Sequence, residues 1–131
     1  MIFWNNSEAW NRPLPDKALI PLARVIHDFY IHLYSINKKA PKPDRFGICL
    51  RAENKTLELM EYITTAALHP GSEREISLTR SILTIEILKR LIRVMVDTKS
   101  IPIKSYLLLE EKLQAMSKMA NGWLKYARGG K

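Results

Sequence analysis

Apolar residues along this chain fall into four stretches of helical period. In the first, Leu19, Leu22, Ile26, Phe29, Leu33 and Ile36 recur at alternating intervals of three and four, the spacing that lays one apolar stripe along a helix face. Pro15 and Asp16 supply a start and Pro41 a stop, so the helix is expected to begin at Asp16. A second stretch follows KKAPKPDR and carries Ile48, Ala52, Leu59, Ile63 and Ala66 on one stripe until Pro70-Gly71 ends it after His69. The run Ser72-Glu73-Arg74-Glu75 has the form of a capping box, in which serine and glutamate satisfy each other's free amides. It predicts a third helix from Ser72 to about Thr98. Ser100-Ile101-Pro102 opens a fourth, whose stripe is Tyr106, Leu109, Leu113, Met116, Ala120, Trp123 and Ala127, and Gly129-Gly130 closes it.

Four helices of similar length with short connections predict an all-α fold, an up-down antiparallel four-helix bundle. The organisation expected is an N-terminal arm over residues 1–15, the bundle over 16–128 and a flexible C-terminal tail over 129–131. At 131 residues the chain holds one domain.

The third helix is more apolar than a single bundle requires. Ile82, Ile85, Leu88, Ile92 and Met95 occupy one arc, while Leu83, Ile87, Leu91 and Val94 occupy another beside it. A bundle core needs an arc of roughly 100–140°, so Leu83, Ile87, Leu91 and Val94 are expected to meet another subunit. Gly122 sits inside the fourth helix, where it costs about 1 kcal/mol relative to alanine. The cost predicts a close neighbour there, another backbone or a bulky ring.

Charge narrows the partner. Lys and Arg number 21 against 13 Asp and Glu, a net +8, and such an excess suits an anion, nucleic acid first. Residues 38–55 hold six bases and two acids, and residues 89–131 ten bases and three acids, whereas the remainder is slightly acidic. The first segment contributes Lys42, Arg45 and Arg51. The third helix contributes Lys89, Arg90 and Arg93, with Glu86 placed to pair with Arg90 one turn on. The fourth contributes Lys104, Lys118 and Lys125, spaced in sevens with Glu111 opposite the apolar stripe, followed by Arg128. Phosphate backbones accept this geometry, because they need positive potential along a surface and no unique constellation.

Catalytic patterns are missing. No P-loop, GxSxG or nucleophilic cysteine arrangement occurs, and Glu110-Glu111 point about 100° apart on a helix. His27 and His32 do not form an HxxxH pair, nor do they follow Arg24 at the spacing of helical HEPN ribonucleases. Cys49, the only cysteine, reads as a small buried hydrophobe. No metal, no cofactor and no enzymatic activity are expected. The first fifteen residues lack the pattern of a secretory signal, and no stretch approaches membrane-spanning length. A cytoplasmic protein without a membrane partner is expected.

Four local patterns carry a family resemblance: IPLARVIHDFY, PKPDRFGICLR at the first turn, LKRLIRVM in the third helix and NGWLK near the end. In order and spacing they resemble the accessory variability determinant (Avd) proteins of diversity-generating retroelements, across most of residues 19–126. The family's first-turn pattern reads roughly PKxxRFxLGxR; Pro41, Lys42, Arg45, Phe46 and Arg51 match it, while Ile48-Cys49-Leu50 stand where a leucine-glycine pair is common. Asn121-Gly122 stand where a double glycine precedes tryptophan. The resemblance implies a four-helix bundle assembled as a homopentameric barrel that binds RNA or DNA and the retroelement's reverse transcriptase. It implies support of cDNA synthesis from template RNA in mutagenic retrohoming, with the polymerase doing the chemistry. Two alternatives stand beside it: a ribosomal-RNA intervening-sequence protein of undefined role, a related family that shares the bundle, and, from a different class, a helical subunit of a two-component enzyme or toxin system whose active site lies on another chain.

Overall fold

A computed structural model describes the backbone of residues 19–129 and the side chains of residues 21–129. Five helices are found there: α1 Leu19–Asn37, α2 Lys42–Arg45, α3 Ile48–Leu68, α4 Ser72–Asp97 and α5 Ile103–Ala127. The four long ones form the expected bundle, each packed on the next and α5 closing against α1. The expected start at Asp16 and the arm over 1–15 lie outside the described residues, as does the tail beyond Gly129.

The three-four stripes are the core. Leu22, Ile26, Phe29 and Leu33 of α1, Ala52, Leu59, Ile63 and Ala66 of α3, Ile85, Leu88, Ile92 and Met95 of α4, and Leu109, Leu113, Met116, Ala120 and Trp123 of α5 are buried together. Buried hydroxyls among them turn back on their own helices: Thr56 donates to the Ala52 carbonyl at 2.9 Å and Ser81 to that of Ser77 at 2.8 Å. These hydroxyls are thereby paired without leaving the core, while Trp123 Nε1 is buried in it without a partner.

Each bundle end is closed by its own device. Where α1 gives way to α3, buried Asn37 donates through Nδ2 to the Cys49 carbonyl at 3.2 Å and to Glu53 Oε2 at 2.8 Å. Pro41 and Pro43 start the one-turn helix α2, a connection the sequence presented as a plain turn. A Cβ on Gly47 would come within 3.0 Å of the Pro43 carbonyl oxygen, so only glycine lets the chain swing from α2 into α3 without a shift. That tight corner leaves Phe46 outside, 66% exposed.

At the opposite end the capping box does not form. Gly71, at φ +84°, takes the cap position and Ser72 lies inside the first turn, with no side-chain cap. The Pro70-Gly71 reversal is too short to leave Ser72 outside the helix. The first turn instead has Glu73 and Glu75 against the positive end of the helix dipole. Arg74 reaches back over the end of α3, donating from Nε to the Ala66 carbonyl at 2.6 Å and from Nη2 to the Ala67 carbonyl at 3.1 Å. Its guanidinium also lies 5.8 Å from the ring centre of Trp123 on α5. One cation thus satisfies free carbonyls and ties three helices.

The α4–α5 turn ends α4 with paired bonds, Ser100 N–H to the Met95 carbonyl at 2.8 Å and Lys99 N–H to that of Val96 at 3.1 Å. This is the Schellman arrangement, whose left-handed residue is usually glycine. Here it is Lys99, at φ 66°, a conformation that costs a residue with a Cβ about 1 kcal/mol.

Two further expectations, on Gly122 and Leu91, are not met. Nothing lies within 4 Å of a Cβ built on Gly122, which is exposed; Trp123 beside it turns the other way, into the core. Leu91 packs against the bundle core, partly buried, because it sits on the flank of α4 and not on its outer face.

Cys49 is fully buried, and burial, then Asp44 and Glu53, push its thiol from 9.0 up to about 11. A thiol reagent at neutral pH is therefore expected to label it only as fast as the bundle opens. An unfolded thiol ionises first, so Cys49 also withdraws stability as pH climbs from 9.0 towards about 11. Rapid labelling of the native protein would contradict its burial.

Candidate nucleic-acid and partner interface

The ten basic residues singled out by sequence do not form one surface. Lys42 and Arg45 are on α2, Arg51 is on the first turn of α3, and Lys104 is on the first turn of α5. Because neighbouring helices are antiparallel, these four share one end of the bundle. Lys125 and Arg128 are at the other end, and Lys118 lies between. Lys89, Arg90 and Arg93 are on the last third of α4, below the first end.

Their surroundings differ as much as their positions. Lys89 is half-buried and pairs with Glu86 at 3.1 Å, so the expected partner of Glu86, Arg90, is left exposed. Positions three and four along a helix both neighbour Glu86, and here Lys89 takes it. Arg93 meets Asp97 at 3.4 Å and faces the Tyr106 ring at 6.0 Å; Tyr106, then Asp97, hold its guanidinium above its ordinary pKa. Arg128 reaches Glu75 at 3.5 Å. Among the described residues, no carboxylate lies in ion-pair range of Lys42, Arg45, Arg51, Arg90, Lys104, Lys118 or Lys125.

The end bearing the α1–α3 and α4–α5 turns is the more basic. Residues 38–45 and 97–104 carry six bases and two acids, while residues 68–75 and 125–128 carry three bases and two acids. Helix-by-helix reading missed Lys38, Lys39 and Lys99, because none of them sits on a regular face. The signal that could find them is topological: in an up-down bundle the first and third turns lie side by side.

The four residues expected to meet another subunit differ in exposure. Leu83 is 60% and Val94 43% exposed, and Ile87 is half-buried. Ile76 and Arg80, also exposed, extend the same outer face of α4. Leu91 does not belong to it. Single apolar residues on a surface are ordinary, but a row of them along one helix is a surface that water disfavours.

His27 is exposed, His32 is half-buried, and His69 is exposed 3.3 Å from Glu73. Among the described residues no group of three or more His, Cys, Asp or Glu is gathered for a metal, and no helix is long and apolar enough to cross a membrane.

The described residues form an all-helical bundle with cations at one end that meet no carboxylate among those residues, and with exposed apolar side chains along the outer face of the third long helix. The bAvd-like family model matches residues 21–127, all four long helices, and the chain belongs to that family. No curated protein matches the chain.

Proposed function

We propose that this protein is a non-enzymatic accessory factor of a diversity-generating retroelement. It binds nucleic acid and the element's reverse transcriptase, and supports cDNA synthesis from template RNA during mutagenic retrohoming. The family match across residues 21–127 carries this reading. The unpaired cations support it, since phosphate and acidic protein surfaces are what such residues attract. In this reading the protein works in the cytoplasm without a cofactor, as a homopentamer closed through the outer face of α4. A ring multiplies weak contacts by raising the effective concentration of each subunit's surface.

The test is co-purification with a reverse transcriptase encoded beside it, followed by template-directed synthesis with and without this protein. Synthesis is expected to depend on it. Arg90→Glu is expected to weaken capture of the polymerase or of RNA with helicity intact, because Arg90 is exposed and unpaired. Arg93→Glu is less clean, since it would also repel Asp97. Full synthesis in the absence of this protein would rule the role out.

A further inference from the structure

The end of the bundle that carries the α1–α3 and α4–α5 turns combines two features that no single helix shows. Lys38, Lys39, Lys42, Lys99 and Lys104 are all exposed there, with no carboxylate among the described residues in ion-pair range. Arg45 is half-buried, and its Nε is buried without an acceptor. Aromatic rings stand among these cations. Phe46 is 66% exposed with the Arg45 guanidinium 5.8 Å from its ring centre, and Tyr34 is 46% exposed with Lys38 Nζ at 5.1 Å.

We propose that this end is a binding surface for single-stranded nucleic acid, with Phe46 and Tyr34 stacking unpaired bases and the surrounding lysines and Arg45 contacting phosphates. The inference rests on the nucleic-acid half of the proposed function and says which surface does the binding and which form of nucleic acid it takes. Charge alone would serve a duplex or any polyanion. An exposed phenylalanine offers a duplex nothing, because its bases are already stacked on each other, whereas an unpaired base gains a partner. Phe46 is the C-cap residue of α2 and stands 66% exposed beside the Gly47 corner.

Lys99 supplies a second, independent reason. The left-handed position that ends α4 is one where glycine would be more comfortable, yet it holds an exposed lysine in a turn at the same end of the bundle. Strain kept in place of an easy alternative marks positions selected for something other than folding.

The experiment measures fluorescence anisotropy of the assembled full chain with labelled oligouridylate, oligothymidylate and a mixed-sequence duplex over a range of salt. Single strands are expected to bind more tightly than the duplex. The two single-stranded arms show whether the ribose or deoxyribose form is preferred, the shared chemistry being base and phosphate. Phe46→Ala is expected to weaken single-strand binding about tenfold, in keeping with one lost stack, with the salt slope and duplex binding unchanged. Lys99→Gly is expected to raise the melting temperature while weakening single-strand binding and flattening the salt slope.

Equal loss on single strands and duplex in Phe46→Ala, or no loss, would overturn the stacking surface and leave a general polyanion site. Unchanged binding in Lys99→Gly would overturn the participation of the second turn. Complete displacement by polyglutamate at matched charge would assign the end to an acidic protein. Absence of binding to all three probes would instead remove nucleic-acid binding from the proposed function itself.

Discussion

A Leu83→Glu, Val94→Glu variant is expected to scatter light as a monomer while keeping the helical circular dichroism of the parent. Both side chains stand on the outer face of α4, exposed in the isolated chain, so the substitutions leave the bundle core untouched. In an assembly closed through that face each new carboxylate would be desolvated without a partner, at a cost of several kcal/mol apiece. A change of about 4 kcal/mol alone loosens an association roughly a thousandfold. Leu91→Glu is the wrong probe, because Leu91 packs on the core and its loss would unsettle the fold as well. Retention of the parent's mass by the double variant would place the subunit contact on another face.

Trp123→Ala is expected to cost about 3–5 kcal/mol, read from urea unfolding followed by circular dichroism. The ring is only 2% exposed and fills the core beside the end of α3. It also carries the face on which Arg74 rests while that arginine holds the Ala66 and Ala67 carbonyls. Against a total stability of about 5–15 kcal/mol for a domain of this kind, the loss brings the bundle near its threshold. Trp123→Phe keeps a ring under the guanidinium and is expected to lose less than half as much. A loss below about 1 kcal/mol in the alanine variant would show that the site collapses around the gap.

The helices were legible because their signal is periodic and local. Alternating intervals of three and four place a stripe on one face whatever the neighbours are, and the turns are punctuated by Pro41, Pro70-Gly71, Pro102 and Gly129. What failed depended on a choice between two local solutions. Ser72-x-x-Glu75 fits a capping box, but the reversal at Gly71 claims the cap first. Glu86 can reach either Lys89 or Arg90, and the spacing does not say which; Lys89 takes it. Leu91 and Gly122 were misread because a helix wheel does not say where the neighbouring helix lies. The basic end was invisible for a stronger reason: Lys38, Phe46 and Lys99 lie in turns that topology puts at one end of the bundle, and no short window of sequence contains them all.

Arg74 gives the molecule a direction. Its charge is spent inside the chain, on two carbonyls and one ring, while the cations at the far end meet no carboxylate among the described residues. In the proposed ring, upright copies would repeat that asymmetry at every position, and the ring would have a front and a back. Anions approaching from the front would meet one lysine-rich rim multiplied by the number of subunits, and from the back they would meet Arg74 and Arg128, already engaged, with Lys125 beside them out of carboxylate range among the described residues. Such an object orients whatever lies across it, and two partners drawn to its opposite faces would never compete for the same ground.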